Sequence, residues 1–431
     1  MYNILMIAPT PFFADRGCHV RILGEAQALQ TMGNQVTICT YHHGRNVPGV
    51  KTERTLSIPW YRRLEAGPTN HKYYTDLLLL IKSSRVAMRT KPDIIHAHLH
   101  EGAFIGTILK RIFNRPVLLD YQGSLTDELA AHKFINDGSL YFKALGALER
   151  WINRSVDAIV TSTTKSEQHL RLAMPEIADK LQVVTDGVDT RIFKPAKDKR
   201  EIRKRFGLPC NKKIIFFIGV LNEYQGIDIL LRCVEPVCRE IPDAHFVIAG
   251  FPQEKYKQKA QAMGIARNVT FTGKVAFQDT PDLTAAADVA VTPKISQSEG
   301  NLKIYNYLAC GLPVVAFDTP VNREVLADMG SYAPPGDARR FGEAIVQLLI
   351  DARRRAALGL AGRRRAEELF SWQTAAQKLM QVYGWLSTRL SIAPTSVRDA
   401  AQASVCEFID PSLARSGIES LNKKDVKLNL H

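Results

Sequence analysis

The feature that most constrains the fold is a regular alternation of short apolar runs with longer amphipathic stretches. The runs NILMIAP, QVTICTY, DIIHAHL and PVLLDYQG have the composition of buried strands, and VRILGEAQALQTMG between the first two has helical periodicity and ends at a glycine. Where a helix crosses between consecutive strands, those strands run parallel in their sheet. The sequence therefore predicts an α/β fold with doubly wound parallel sheets.

The alternation stops once and then restarts, which divides the chain into two halves. A charged stretch punctuated by prolines, from about residue 190 to 213, separates the halves, and the second half opens with the apolar run IIFFIGVL. A chain of 431 residues is also too long for one typical core. We predict one Rossmann-like domain at 1–195, a second at 196–371, a closing helix at 372–390 that returns to the first, and a loosely ordered tail at 391–431. Ligands of such sheets bind beyond the carboxyl ends of the strands, so we expect the site in a cleft between the domains.

The net charge narrows the classes of partner. The formal charge is +14, which fits nucleic acid, an anionic membrane surface or a phosphorylated small molecule. The basic residues lack the interleaved aromatics of a compact nucleic-acid module, so we expect no nucleic acid. Part of the excess lies in the stretch HKYYTDLLLLIKSSRVAMRTK, of which residues 72–91 could form a basic amphipathic helix on an anionic membrane. The alternative is a solvated helix that covers a sheet.

The sequence also bears on location. No apolar run reaches the roughly 20 residues that a membrane span needs, and MYNILMIAP has no basic region before its apolar stretch, so it is interpreted as a first strand. The 7 cysteines are scattered without a CxxC pair, which is typical of reduced thiols. We expect a cytoplasmic protein that can lie on the inner face of the membrane.

Loops of the first half carry one set of candidate residues. Gly17 lies just before a helix, where a backbone without a side chain and free helix N–H groups can approach an anion, and Arg16 and His19 flank it. Gly123 and Glu128 follow the strand PVLLDY. We assign Arg16, His19, Gly123 and Glu128 to the acceptor side. The alternatives are a plain turn at Gly17 and an ordinary first-turn acid at Glu128.

Histidines alternate in the stretch DIIHAHLH. His96, His98 and His100 would share one strand face, which could hold zinc. A strand that ends near His98 is the alternative, and it would place this histidine at the cleft as a ligand for a polar group. We favour the second interpretation.

The second half carries the candidates for phosphate binding. Asn222 precedes a glycine turn and a helix. In PKISQSEGNLKIYNYLACG, Lys294, Glu299, Gly300 and Lys303 surround another helix start, where lysines and backbone amides can neutralise a diphosphate. The sequence contains no Asp-x-Asp pair that would hold Mg²⁺ or Mn²⁺. We therefore predict neither a metal site nor a cofactor.

Taken in order, these segments resemble the family 4 glycosyltransferases of the GT-B fold. The carriers are RGCHVRILGEAQAL, DIIHAHLHEGAFIG, VVTDGVDTRIFKP, GVLNEYQGIDILL, NVTFTGKV, SEGNLKIYNYLACGLPVVAFDTPVNREVL and GRRRAEELFSWQTAAQKL, and the match runs from about residue 2 to 390. The resemblance implies a nucleotide-sugar donor in the second domain and an acceptor on the first. It also implies transfer with retention of anomeric configuration and without a metal.

The resemblance implies roles for individual residues as well. His98 falls at the histidine that contacts the donor sugar, and Gly17 at the glycine loop that meets donor or acceptor. Gly300, Asn301 and Leu302 fall where backbone amides hold phosphate and sugar. The two remaining positions, Lys274 and Val275, fall where the chain meets the base.

Several positions depart from the family pattern. At the positions where the family has an arginine and a lysine that bind the diphosphate, this chain has Val220 and Gln225. At the second position of the family's glutamate pair it has Asn306, whose side chain could still form hydrogen bonds with ribose hydroxyls. The chain is similar to a subgroup with YQG and LKxYxYL-type motifs. We hypothesise that Lys294 and Lys303 replace the missing charges.

The other positions of the pattern bear on sugar positioning. The glutamate pair would fall on Ser298 and Asn306, so Glu299 is one residue out of register. The asparagine of the family's NGVD motif is Asp186 here. We assign Glu299 and His98 to sugar positioning, because retaining chemistry of this family requires no protein nucleophile.

The predicted function is that of a retaining, metal-independent glycosyltransferase acting on a hydroxyl of a glycan, a glycolipid or a small molecule. Two alternatives stay open at this point. One is a non-catalytic relative that serves as a nucleotide-binding or scaffolding subunit, which the departures keep in play. The other is an enzyme of the same fold with another activity, such as a nucleotide-sugar epimerase or a phosphorylase.

Overall fold

Two parallel β-sheets form the framework of the protein. The computed structural model describes residues 1–15, 17–61, 71–124, 139–295 and 300–389. The strands of the first sheet are β1 Asn3–Ala8, β2 Gln35–Thr40, β3 Lys51–Arg54, β4 Ile94–His98, β5 Val117–Tyr121, β6 Ala158–Thr161 and β7 Leu181–Val183. Those of the second are β8 Lys213–Ile218, β9 Ala244–Ala249, β10 Val269–Gly273, β11 Val289–Thr292, β12 Val314–Phe317 and β13 Gly330–Ala333.

Helices connect the strands of each sheet. Those of the first half are α1 Gly17–Thr31, α2 Lys72–Thr90, α3 Leu99–Phe113, α4 Leu140–Ser155 and α5 Thr164–Ala173. The remaining ones are α6 Lys199–Arg205, α7 Ile227–Glu240, α8 Glu254–Ala262, α9 Thr280–Ala285, α10 Leu302–Ala309, α11 Pro320–Leu326, α12 Ala338–Ile350, α13 Ala352–Leu369 and α14 Trp372–Arg389. Short 3-10 turns lie at Pro175–Lys180, Ala266–Asn268, Phe277–Asp279 and Ala327–Met329.

Each sheet reverses its strand order near the middle. The first has the order β3-β2-β1-β4-β5-β6-β7 and the second β10-β9-β8-β11-β12-β13, and the described neighbours pair in parallel. The reversal between β1 and β4, and between β8 and β11, opens a crevice at the carboxyl ends of these strands. The predicted α/β fold with two doubly wound, Rossmann-like halves is confirmed.

Central strands such as β1 and β8 are apolar on both faces because helices cover both faces. In β1, Ile4 and Met6 point into one core cluster of the first half, and Leu5 and Ile7 into the other. This is the period of two expected of a strand, with each face buried under its own helix layer. The continuous apolar run that predicted β1 follows from this double coverage.

The last helix crosses back to the first half. Along α14, Ala376, Leu379 and Leu386 are fully buried in the same core cluster as β1 and α1. The crossing is tight at Trp372, because a Cβ on Gly24 would lie 2.2 Å from its ring. Close approach of this kind is a reason for glycine at a helix position.

Three helices follow one another at the end of the described residues. The segments DARRFGEAIVQLLIDARRRAALG and AGRRRAEELFSWQTAAQKLMQVYGWL contain α12, α13 and α14, with breaks at Asp351 and at residues 370–371. The Asp351 side chain accepts a hydrogen bond from Arg354 N at 2.8 Å, and Ser371 Oγ accepts one from Thr374 N at 3.0 Å. Each break is thus an N-cap, which ends one helix and starts the next.

Some of the residues discussed above fall outside the described residues. These are Arg16, Glu128, Ser298 and Glu299, together with the tail at 391–431. The predicted domain limits remain a prediction. In the part of the chain that the structure describes, no helix combines the length and apolarity needed to cross a bilayer.

Candidate functional site

A cavity of about 340 Å³ lies between the two halves, where several strands end. From the first half it is lined by Asp15, Gly17, Cys18, Val20, Arg21, Gln122, Ser162 and Asp186. From the second half it is lined by Ile218, Gly219, Val220, Gln225, Phe277, Thr280, Lys294, Gly300, Asn301, Leu302, Lys303 and Asn306. The crevice expected from the strand order is therefore shared by both sheets.

The start of α10 forms one wall of the cavity. Asn301 occupies the N-cap position and is buried, and its Nδ2 donates to Thr292 Oγ1 at 2.8 Å and to Asn322 Oδ1 at 3.2 Å. These bonds tie the turn to the end of β11 and to α11. The first N–H groups of a helix have no intrahelical partner and carry partial positive charge, so this wall suits an anion.

Lys303 adds a cation to this wall. Its Nζ donates to Gln225 Oε1 at 2.6 Å and lies 4.3 Å from the centre of the Phe217 ring. Burial, together with the nearby charge of Lys294, lowers the pKa of Lys303 well below its ordinary value. Among the residues that the structure describes, no carboxylate forms an ion pair with Lys303. A cation in this position is expected to attract an anionic ligand.

Lys294 lies on the other side of the same turn. Its side chain is only 6% exposed, and its Nζ donates to Gly300 O at 3.0 Å and lies 5.2 Å from the centre of the Tyr224 ring. The two lysines therefore flank the entrance to α10, as the sequence hypothesis requires.

The loop after β8 contacts the Nζ of Lys303 through Gly219 and Gln225. Gly219 has φ +153°, and a Cβ there would lie 3.0 Å from Lys303 Nζ. Gln225 N donates to Asn222 Oδ1 at 2.8 Å, which fixes the turn that presents Gln225. Asn222 thus acts on the turn and does not itself line the cavity.

On the opposite wall, Arg21 of α1 is surrounded by carboxylates. Its Nη2 lies 2.8 Å from Asp120 Oδ1 and 3.1 Å from Glu25 Oε1, and its Nη1 lies 2.9 Å from Asp186 Oδ1. The guanidinium also donates to Val184 O at 3.1 Å. Burial opposes its charge, but the three carboxylates raise the pKa of Arg21 well above its ordinary value.

The carboxylates around Arg21 differ in their protonation. Burial raises the pKa of Asp120, but Arg21 and His98 offset it and hold that pKa well below the usual range. Burial raises the pKa of Glu25 well above its ordinary value, and burial also raises the pKa of Asp186. Asp120 is therefore the firmly ionised partner of the guanidinium.

His98 lies behind this ion pair. It is fully buried and does not line the cavity, and its Nδ1 lies 2.9 Å from Asp120 Oδ2. Because an ionised carboxylate only accepts hydrogen bonds, Nδ1 must donate to it. His96 stacks on His98 with ring centres 4.5 Å apart, and His96 Nδ1 is 2.8 Å from Tyr383 OH of α14.

Four side chains of this wall could in principle hold a metal ion. Ligand atoms of Glu25, His96, His98 and Asp120 lie within 4.8 Å of one another. However, Arg21 contacts both carboxylates and supplies their counter-charge. A guanidinium in that position repels a cation, so we assign no metal to the cluster.

The structure brings together some of the predicted residues and separates others. Seven line the cavity: Gly17, Lys294, Gly300, Asn301, Leu302, Lys303 and Asn306. Those outside it are His19, His98, Gly123, Asn222, Lys274 and Val275. Arg16, Glu128 and Glu299 lie outside the described residues.

His19 and Lys274, which do not line the cavity, form other contacts within the protein. His19 is fully buried, and its Nδ1 accepts a hydrogen bond from Ala14 N at 2.8 Å while its Nε2 faces Thr10 Oγ1. It therefore shapes the loop before α1. Lys274 is exposed, and its Nζ lies 5.6 Å from the centre of the Phe251 ring.

Sequence reasoning missed most of the wall around Arg21. Gln122, Ser162 and Asp186 follow β5, β6 and β7 and line the cavity. Their place at the carboxyl ends of strands was the available signal, since Gln122 and Ser162 come directly after β5 and β6 and Asp186 comes three residues after β7. For Arg21, one turn beyond Gly17, the sequence offers no signal that distinguishes it from a solvated helical arginine.

The two halves also touch through polar contacts around the cavity. A Cβ on Gly300 would lie 3.1 Å from Ser162 Oγ and 3.2 Å from Asp186 Oδ2. On one side, Glu324 of α11 accepts hydrogen bonds from Thr164 N at 2.9 and 3.1 Å, which caps α5 of the other half. The structure therefore shows the halves closed upon each other.

Comparison with known proteins gives consistent matches. The family described as Glycosyl transferases group 1 matches residues 212–351, and the Glycosyl transferase 4-like domain matches residues 16–187. The D-inositol 3-phosphate glycosyltransferase of Corynebacterium aurimucosum is 26% identical over 303 residues, which are 68% of this chain and 71% of that protein.

Two solved structures have the same overall fold. Sucrose-phosphate synthase from Thermosynechococcus elongatus superposes with a TM-score of 0.77 at 21% identity, covering 90% of this chain and 100% of that one. Anabaena HepE in complex with UDP and glucose superposes with a TM-score of 0.70 at 18% identity, covering 88% and 99%.

Proposed function

The chain belongs to the family 4 glycosyltransferases of the GT-B fold, and we propose that it transfers a sugar with retention of configuration and without a metal ion. The donor is a nucleotide sugar, and the acceptor is a hydroxyl of a glycan, a glycolipid or a small molecule. The observation that carries this proposal is the pair of lysines, Lys294 and Lys303, at the start of α10.

The lysines supply what departure of a nucleoside diphosphate requires. Negative charge develops on the leaving diphosphate, and preorganised cations and helix N–H groups stabilise it. Lys303 already lies at the cavity with an amide and an aromatic ring as neighbours, so it needs little rearrangement to bind phosphate oxygen. Val220 and Gln225 hold the places of the family's arginine and lysine, and Lys303 donates to Gln225 itself.

The second half is the place for the nucleotide. HepE, which shares the fold, was solved with UDP and glucose, and this supports a uridine nucleotide as the first probe for this chain. Asn306 lines the cavity one helical turn beyond Lys303, where its carboxamide can bond ribose hydroxyls. Glu299 keeps its assignment to sugar positioning, whereas His98 does not line the cavity and acts on the sugar through Asp120 and the cavity-lining Gln122.

A binding panel followed by product analysis tests the function. Thermal shifts are measured with UDP, GDP and ADP and with UDP-glucose, GDP-mannose and ADP-glucose, each with and without EDTA. We expect one base to raise the melting temperature in both conditions, and the matching sugar nucleotide to be consumed with transfer of the sugar. Nucleotide binding without turnover would favour a scaffolding subunit, and a changed sugar nucleotide without transfer would favour an epimerase.

The exposed face of α2 supports a membrane-surface location for the acceptor. Tyr73, Leu77, Ile81 and Met88 are 70%, 57%, 41% and 59% exposed on one helix. Because they are spaced four, four and seven residues apart, they lie on one face of the helix as an apolar stripe, which we call the α2 stripe. An apolar stripe with basic neighbours is typical of a helix that lies in a membrane interface. We propose that the protein is cytoplasmic and binds the inner face of the membrane here.

The structure changes which charges matter for this contact. Lys82 and Arg89 form ion pairs with Glu53 at 2.7 and 2.5 Å, which partly neutralises them. Arg85 is exposed and forms no ion pair within the described ranges. Arg85 is therefore the better residue to test for attraction to anionic lipid.

Vesicle sedimentation tests the membrane contact. Vesicles of phosphatidylglycerol and phosphatidylcholine are mixed with wild type, with Leu77→Ser/Ile81→Ser and with Arg85→Gln. Leu360→Ser is the matched control, because Leu360 is 58% exposed on the second half. We expect both α2 variants to bind less than wild type and the control to bind equally; retention of both α2 variants on the vesicles would reject the contact.

A further inference from the structure

We propose that Arg21 is a positioning residue. It aligns the cavity wall of the first half, which contains Gln122 and Asp186, with the turn at Gly300 in the second half. The inference rests on the proposed nucleotide-sugar function, because it concerns the geometry of that site. The sequence assigns no role to Arg21, although this arginine lies near the candidate Gly17 and its partner Asp186 falls at a family motif.

On one side, Arg21 fixes the group behind the wall. Its Nε donates to Asp120 Oδ1 at 3.0 Å and Oδ2 at 3.1 Å, and its Nη2 donates to Oδ1 at 2.8 Å. Asp120 Oδ2 then accepts from His98 Nδ1 at 2.9 Å and from Gln122 Nε2 at 2.8 Å. The orientation of the imidazole and of the cavity-lining carboxamide therefore depends on how the guanidinium holds this carboxylate.

On the other side, Arg21 reaches the boundary between the halves. Its Nη1 donates to Asp186 Oδ1 at 2.9 Å. The second oxygen, Oδ2, faces Gly300, where a Cβ would lie only 3.2 Å away. Arg21 thus holds Asp186 at the point where the turn at Gly300 contacts the first half.

The shape of the guanidinium suits this double task. A guanidinium is a rigid planar fork, so bonds made by Nε and Nη2 fix the direction in which Nη1 points. An ammonium group carries the same charge but has no such fork. Lysine at this position would neutralise one carboxylate and leave the angle between Asp120 and Asp186 undefined.

Stability alone is a poor reason for this cluster. Burying one guanidinium among three carboxylates carries a large desolvation cost, and well-packed apolar side chains often replace buried ion pairs without loss of stability. Both Arg21 and Asp186 also line the cavity, where their positions bear on a bound ligand. Alignment of the site accounts for both observations.

Kinetics of conservative variants test the proposal. Arg21→Lys and Asp186→Asn are compared with Arg203→Lys, a matched control. Arg203 is another buried arginine that donates to a carbonyl and pairs with Asp288 at 2.7 Å, away from the cavity. Hydrolysis and transfer are followed with UDP-glucose, GDP-mannose and ADP-glucose, and affinity for UDP, GDP and ADP is measured by calorimetry below the melting temperature of each variant.

We expect Arg21→Lys to lower kcat by about 100-fold, the cost of a misplacement of roughly 1 Å. Affinity for the nucleoside diphosphate should stay within about threefold, because Lys294 and Lys303 belong to the other half. Asp186→Asn should lower kcat in the same direction, and the double variant should be no slower than the slower single one, since both act through one contact.

Three outcomes would overturn the proposal. In the first, Arg21→Lys lowers the melting temperature as much as Arg203→Lys but keeps the wild-type kcat. In the second, the kcat losses of Arg21→Lys and Asp186→Asn multiply in the double variant. In the third, Arg21→Lys does not fold and Asp186→Asn, which is isosteric, keeps the wild-type kcat. Failure of wild type to bind any nucleotide would instead reject the proposed function, and this inference with it.

Discussion

Replacing Lys303 by methionine separates the binding role of this lysine from its effect on stability. Methionine has similar length and no charge, so it fills the space over the Phe217 ring but cannot bind phosphate. The residue lies in the first turn of α10, where a cation opposes the helix dipole, and Lys294 lies nearby. In the absence of an anion, the charge of Lys303 is stabilised within the described residues by the Gln225 carboxamide and the Phe217 ring, and by no carboxylate.

The magnitude follows from the contact that is lost. A hydrogen bond to a charged group contributes about 1.5–3 kcal/mol, so Lys303→Met should weaken nucleoside diphosphate binding by about 10- to 150-fold. The unliganded protein should become more stable, because a desolvated cation that forms no ion pair within the described residues is removed. Affinity and stability are expected to change in opposite directions.

The pH dependence has a definite sign. Burial and Lys294 hold the pKa of Lys303 below that of a lysine in the unfolded chain. Between these two pKa values the unfolded state binds more protons, so this group makes the unfolding free energy rise with pH across that window. Diphosphate affinity should fall over the same window, because only the protonated lysine binds phosphate. Both trends should be absent in Lys303→Met.

Calorimetry with the best-binding nucleoside diphosphate and denaturant unfolding measure the two effects, from pH 7 upwards. Lys257→Met is the control, since Lys257 is an exposed lysine on α8 of the same half. Unchanged affinity in Lys303→Met would refute the assignment of this lysine to the phosphates. Reduced affinity with reduced stability would point to a structural lysine instead.

Three further changes test the closed arrangement and the returning helix. Gly300→Ala should lower transfer activity by about tenfold or more at unchanged melting temperature, because its methyl group pushes the halves apart; wild-type turnover would contradict the close approach. Glu324→Gln should increase the radius of gyration in X-ray scattering, since it weakens the cap on Thr164 across the cleft, and an unchanged radius would argue against that contact. Tyr383→Phe should cost about 1 kcal/mol of unfolding free energy through the lost bond to His96, and Tyr73→Phe on the exposed surface is its control.

The sequence was sufficient to predict the sheets but not all of their edges. The runs around Ile4, Val36 and Ile215 are apolar because helices cover both faces, and that signal survives without any tertiary information. The edge strand β3 reads KTER, with four polar residues, and pairs only with β2. Nothing in its composition indicates a strand, so only the sheet that it joins could reveal it.

Residues of the candidate site can be proposed from the sequence where local backbone chemistry determines their position. Gly300 and Lys303 flank a helix start, and the physics of that turn is local, so the sequence suffices. The pairing of Arg21 with Asp120 and Asp186 joins residues 99 and 165 positions apart. Because such pairing depends on how the strands are ordered, no local pattern could indicate it. For the same reason, the sequence could not show that His98 lies behind the ion pair.

The return of α14 has a consequence for the order in which the molecule is made. The buried residues Ala376, Leu379 and Leu386 complete the core that includes Tyr2, so the first half lacks part of its own interior until α14 has left the ribosome. Meanwhile the second half already holds all its strands. The half that carries the amino terminus is therefore expected to mature last, and a chain that stops at residue 371 would leave an apolar groove along α1 open to aggregation.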